Sequence, residues 1–352
     1  FGQIETSNPD VKNILQKLSD YIKEISQKLS ELLKEICDGA FDETEFATFL
    51  GGPDVGAAFT QLKFDHLLFT GSGNIGKHVM RAASENLVPL TLELGGKSPV
   101  IVSDSSNIDI TARRVMFNKT LNAGQICLAP DYVYVHETEK DNFVEACKTQ
   151  VNEFYSDLKY NPDYTSVINQ KHYDRLNGLL SDAKDHGAEL VEINPANEDF
   201  SQQESHKIPP TLVLNPTDEM QIMKEEIFGP LLPIKTYKDI NEPINYINKN
   251  DKPLGLYYFG NNKNEEAKVV NSTTSGGVTV NDIMGHIQQN ELGFGGVGPS
   301  GMGKYDGFDG FMNFSNNKPI YKQIGFGLDK LLDAIRPPYK GNIEDVLKKL
   351  LK

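Results

Sequence analysis

The chain has 352 residues, and its 35 Lys+Arg against 49 Asp+Glu give a formal net charge of −14. That length suits two domains, or one large α/β domain with an appendage, and 38% hydrophobic with 24% charged residues excludes a wholly disordered chain. The acidic balance argues against a nucleic-acid partner, whose phosphates favour a basic face, and no apolar run approaches the roughly 18 residues of a membrane span.

In chain order, Phe1 to Thr6 offers neither a basic region nor an apolar core, so no signal peptide is read there. The start also lacks Met, and the gene is expected to begin upstream. Val11, Leu15, Leu18, Ile22, Ile25, Leu29, Leu32 and Ile36 then form a heptad stripe. It predicts an amphipathic helix packed on the neighbouring domain or, alternatively, a self-associating coiled coil. From about Cys37 the texture becomes βαβ. Strands are predicted over Phe64–Thr70, Leu87–Leu94, Ser98–Val102 and Tyr132–His136, and helices over Gly76–Glu85 and Asp109–Asn122. Asn194–Ser205 reads as a surface loop. Leu292–Gly310 is too glycine-rich for a helix interior, and Asp329–Lys352 reads as helix broken at Pro337-Pro338.

Three cysteines, Cys37, Cys127 and Cys147, are too few and too scattered for a disulfide framework or a zinc site, which points to a reducing, cytoplasmic setting and no metal. Gly71-Ser72-Gly73-Asn74-Ile75-Gly76 satisfies G-x-G-x-x-G between a predicted strand and helix, where backbone N–H groups can cradle a pyrophosphate. Glu93, seventeen residues past Gly76, admits two roles. It is a ribose ligand in a plain Rossmann reading, or a desolvated general base at a strand end beside Gly95-Gly96. Cys127, among small residues after a predicted helix, is a buried small hydrophobe or a nucleophile. Spacing alone decides neither. His66 and His286 read as structural.

Five segments together resemble the aldehyde dehydrogenase superfamily: Phe69-Thr-Gly-Ser-Gly-Asn-Ile-Gly76, Leu92-Glu-Leu-Gly-Gly-Lys-Ser-Pro99, Asn122-Ala-Gly-Gln-Ile-Cys127, Glu225-Glu-Ile-Phe-Gly-Pro230 and Gly293-Phe-Gly-Gly-Val-Gly-Pro-Ser-Gly301. The run Cys127-Leu-Ala-Pro-Asp-Tyr132 is most similar to the class 3 branch, in particular bacterial coniferyl aldehyde dehydrogenases. The resemblance implies an α/β fold with a partial Rossmann-type cofactor domain, an α/β catalytic domain and a short oligomerisation arm. It implies Cys127 as nucleophile and Glu93 as the base for the deacylating water. Glu226 and Phe228 would place the nicotinamide ribose and ring, and Gly71, Ser72 and Gly76 would flank the pyrophosphate. Lys28 and Glu31 would contact the adenosine ribose, and Asn281 and Phe294 would lie near the substrate. The expected cofactor is NAD, with NADP as alternative, the substrate an aromatic or medium-chain aldehyde, and the assembly a homodimer. Neither membrane nor nucleic acid is expected as a partner.

The implied division is 1–36 amphipathic helix, 37–94 remainder of the dinucleotide-binding domain, 95–288 catalytic domain, and 289–352 glycine-rich return segment with C-terminal helices. Similar proteins are about a hundred residues longer, at the front, and carry a Trp-Asn-x-Pro segment whose Asn is a second oxyanion donor; this chain has no Trp. Smaller departures are Gly73 for Thr, Gly293 for Pro and Asn316 for His. An aldehyde dehydrogenase is therefore the first expectation, and an impaired homologue serving binding or assembly the alternative.

Overall fold

The structure, a computed structural model, describes residues 28–203, 205–323, 336–337 and 343–351. The heptad positions before Lys28 and the break at Pro338 lie outside the described residues. Of the stripe, the described part is helical over 28–40 (α1), and Leu29, Leu32 and Ile36 are exposed on it rather than packed on a domain. A short helix α2 (Pro53–Phe59) follows.

Strand β1 (Leu67–Gly71), helix α3 (Gly73–Ser84) and strand β2 (Leu90–Leu94) form one βαβ unit, with β1 and β2 parallel. Both strands start about three residues later than hydrophobicity suggests. Leu87 sits at φ 56° in the turn leaving α3, and chain in that conformation cannot extend as a strand. Helix α3 in turn starts three residues early, at Gly73, because the Ser72 side chain caps it by accepting the Ile75 N–H at 3.5 Å.

The chain then changes sheets. Seven strands order as β5-β6-β7-β4-β3-β8-β9: β3 (Pro99–Val102), β4 (Tyr132–His136), β5 (Glu189–Glu192), β6 (Thr211–Leu214), β7 (Leu231–Tyr237), β8 (Gly255–Phe259) and β9 (Gly277–Val280). All pairs are parallel except β5 on β6. Every residue of β3, β6 and β8 is buried, as expected of parallel strands covered on both faces. One face packs Val100, Val102, Val133 and Val135 against helices α4 (Ile108–Thr120) and α5 (Lys140–Phe154). The other packs Ile101, Tyr132 and Tyr134 against α6 (Gln170–Asp185) and α8 (Asn241–Lys249). A four-residue turn of helix, α7 (Gln221–Lys224), precedes β7, and α9 (Lys263–Ser272) links β8 to β9.

The glycine-rich stretch is more ordered than its composition suggests. Gly301–Met302 (β10) returns antiparallel onto β2, Gly301 opposite Glu93, and the short helix α10 (Gly307–Asn313) includes Gly307 and Gly310, where composition argued against helix. The described residues through Phe314 form one compact unit. Within the remaining unit, 315–352, the described helix is α11 (Ile343–Leu350).

Candidate active site

Three segments converge where the carboxyl end of the small sheet meets the amino end of the large one. Glu93 is the fourth residue of β2, Cys127 lies in the loop from α4 into β4, and Glu226 lies between α7 and β7. The Cys127 loop has an unusual path. Asn107 caps the start of α4 by accepting the Ile110 N–H, whereas at the far end Asn122, Ala123 and Gly124 take φ of 50°, 52° and 71° and throw the chain off the helix. A Cβ on Gly124 would meet the Gly229 carbonyl, so only glycine lets this loop touch the one bearing Glu226. Gln125 pins the turn, donating to the Asn122 and Ser166 carbonyls at 3.0 Å each and accepting from the Ile168 N–H at 2.9 Å.

Glu93 is 2% exposed, no hydrogen bond from the described residues satisfies its Oε1, and burial raises its carboxyl above the usual range. The Cys127 thiol faces it within hydrogen-bonding reach. Burial first, then the Glu93 charge and hydrogen bond, then the Glu226 charge push Cys127 up to about 12, with its own backbone N–H acting the other way. The thiol thus sits half-buried among acids, holding its proton at neutral pH.

Glu226 packs its carboxylate on Gly95, where any Cβ would collide with it, and the Gly96 N–H is donated toward it. Burial and Asp131 raise it to about 7, against the opposing pull of Gly96, Lys97 and Arg175. Phe228, two residues on, is held at φ 46°, a strained conformation for an aromatic residue. Around it, Arg175 of α6 donates to the Glu226 carbonyl at 3.3 Å and the Ile227 carbonyl at 2.5 Å, and Leu176 packs on Gly229.

The remaining sequence-predicted residues fall into three groups. Gly71 closes β1, Ser72 caps α3 and Gly76 packs on Leu94, while Gly73 has nothing within 4 Å of a would-be Cβ. That open turn at a helix N-terminus fits the pyrophosphate of a dinucleotide. Phe294 is buried beside the Cys127 segment, its ring 5.5 Å from Tyr305 and 5.9 Å from His286. Asn281 points elsewhere: its amide exchanges hydrogen bonds with the Gly260 backbone at 2.9 and 3.0 Å, and so braces the end of β8. Lys28 and Glu31 lie exposed on α1. Both histidines make local contacts, His66 with Thr91 at 2.7 Å and His286 with Thr279 at 2.8 Å.

Sequence reasoning missed five charged or polar neighbours of the site. Lys97 pairs with Asp131, and Lys119 is a lysine 1% exposed whose ammonium donates to the Pro130 carbonyl at 2.8 Å. Arg175 is the fourth, and Tyr305, whose hydroxyl is pushed up by burial and by the Glu93 and Cys127 charges, is the fifth. A signal existed for two of them: Lys97 stands two residues before β3 and Asp131 directly before β4, both largely apolar strands, an odd place for a charge without a partner.

Comparison with known proteins gives a consistent picture. A probable coniferyl aldehyde dehydrogenase of Caulobacter vibrioides is 54% identical over 308 residues, covering 88% of this chain and 63% of the relative. The structure of Staphylococcus aureus AldH in a substrate-bound state superposes with a TM-score of 0.79 at 39% identity, covering 94% of this chain and 69% of that one. A betaine aldehyde dehydrogenase from the same organism, in complex with NAD+, gives a TM-score of 0.68 at 26% identity, covering 76% and 53%. The chain spans about 63% of the length of the curated relative it matches. Residues 12–320 match the aldehyde dehydrogenase family, and the chain belongs to that family.

Proposed function

We propose that this chain oxidises an aldehyde to its carboxylic acid with a nicotinamide dinucleotide, Cys127 acting as nucleophile and Glu93 as general base. The observation that carries the reading is the pairing of the Cys127 thiol with the desolvated Glu93 carboxyl at the meeting of the two sheets.

A carboxylate that is 2% exposed and raised by burial is a strong proton acceptor. As the Cys127 sulfur bonds to the aldehyde carbon, the thiol proton passes to Glu93, and the carbonyl oxygen becomes an oxyanion stabilised by backbone N–H donors of the Cys127 loop. Glu93 releases that proton to solvent before the second half of the reaction. When bound, the nicotinamide supplies the hydride acceptor that turns the thiohemiacetal into a thioester. Glu93 then takes a proton from water, the hydroxide attacks the thioester carbon, and the acid leaves as Cys127 regains a proton. Ser72, Gly71 and Gly76 would hold the pyrophosphate, and Glu226 and Phe228 the nicotinamide riboside. NAD is the cofactor proposed, supported by the NAD+ complex of the betaine aldehyde dehydrogenase. An aromatic aldehyde of the coniferyl type is the proposed substrate, supported by the Caulobacter relative's name.

The test is reduced-nicotinamide formation from an aromatic aldehyde with NAD and, separately, NADP, in wild type and Cys127→Ala. Formation in wild type that vanishes in the variant supports the reading. No formation in wild type, alongside absent hydrolysis of an activated ester, would overturn it in favour of a binding or assembly role.

A further inference from the structure

Three chemistry-bearing segments, far apart in sequence, must be held to fractions of an ångström, and one buried ion pair touches all of them. Lys97 lies four residues after Glu93, and Asp131 four residues after Cys127. The Lys97 ammonium donates to the Asp131 carboxylate, to the Ile222 carbonyl at 2.8 Å and to the Glu225 carbonyl at 2.9 Å. All three of its N–H bonds are thereby assigned. The other oxygen of Asp131 accepts the Ile227 N–H at 2.9 Å, and the Asp131 N–H donates to the Ser98 carbonyl at 2.9 Å. Glu226 is therefore bracketed, its preceding carbonyl held by Lys97 and its following N–H by Asp131. The side chains are 18% and 4% exposed, so water competes little for these bonds.

We propose that Lys97 and Asp131 are positioning residues, a buried hub that sets the Glu93, Cys127 and Glu226 segments in register. The proposal rests on the reading of Cys127 and Glu93 as the acting pair. A buried ion pair is a weak source of stability, since apolar residues of similar volume often replace one without loss. Its four side-chain hydrogen bonds across three segments are what an apolar pair cannot reproduce. Neighbouring contacts point the same way: Lys119 ties α4 to Pro130, and Arg175 ties α6 to the Glu226 and Ile227 carbonyls.

The test compares wild type with Lys97→Met/Asp131→Leu and with Asp131→Glu, which keeps the charges but displaces the carboxylate by one methylene. Readouts are thermal unfolding, hydrolysis of p-nitrophenyl acetate without cofactor, and amide exchange of the peptide spanning 222–229. A positioning hub predicts a double variant that unfolds near the wild-type temperature, with ester kcat down about 10²-fold, KM within about threefold and faster exchange over 222–229. Wild-type kcat and exchange in the folded double variant would overturn the proposal. If the double variant does not fold, Asp131→Glu decides. A fall of about tenfold or more in kcat at unchanged unfolding temperature supports the hub, and unchanged kcat overturns it. Should wild type hydrolyse no ester, the exchange arm alone judges the hub, with the reading of Cys127 and Glu93 falling as well if no reduced nicotinamide forms: faster exchange over 222–229 in a folded variant supports the hub, and unchanged exchange overturns it.

Discussion

Glu93→Gln should move two properties of the site in opposite directions. Glu93 acts on Cys127 twice, through its charge and through a hydrogen bond, and both hold the thiol proton in place. With Cys127 pushed up to about 12, only about 10⁻⁴ of it is thiolate near pH 8. The substitution removes the charge and leaves burial, the largest cause, together with Glu226. The thiol should then fall by on the order of one pKa unit, and alkylation by iodoacetamide near pH 8 should rise about tenfold. Turnover of an activated ester should meanwhile drop about 10²- to 10⁴-fold, because the deacylating water loses its base. Alkylation is followed by the mass of the Cys127 peptide across pH, with Cys147, fully buried in α5, as an internal control. Slower or unchanged alkylation in the variant, with ester turnover intact, would refute the reasoning.

Three further outcomes follow from the packing. Burial lowers Lys119 to about 8, against about 10.4 in an unfolded chain, so the unfolded state binds more protons between those values. Stability from this group therefore rises with pH across that window by on the order of 3 kcal/mol; pH-dependent denaturant unfolding should show the rise in wild type and lack it in Lys119→Met. Gly124→Ala forces a Cβ into the Gly229 carbonyl at positive φ, and should cost about 1–3 kcal/mol or more, read as a lower Tm. Gly95→Ala displaces the Glu226 carboxylate, and should weaken NADH binding, measured by fluorescence, while leaving Cys127 alkylation near the wild-type rate.

The parallel βα texture was legible because buried parallel strands read as continuous apolar runs, and β4 at Tyr132–His136 matches its predicted bounds. The strand start at Leu90 was not, since turn geometry at Leu87 leaves no hydrophobic mark. β10 escaped for a related reason: two residues paired across the sheet to Leu92 and Glu93 carry no periodicity. In the site, Cys127, Glu93 and Glu226 stood out through motif resemblance. The contacts that hold them did not, because Lys97 meets Ile222 and Glu225 more than a hundred residues away. Asn281 shows the converse limit. Its motif suggested a substrate neighbour, whereas its left-handed φ of 55° and two bonds to Gly260 show a brace between strands.

The central claim is covalent chemistry at Cys127, and trapping the acyl group tests it most directly. Glu93→Gln is mixed with an aromatic aldehyde and NAD, quenched in acid, digested and weighed. The account predicts one acyl group per chain on the Cys127 peptide, formed together with about one equivalent of NADH. NADH formed without an acyl group on Cys127, or an acyl group on another residue, would contradict it.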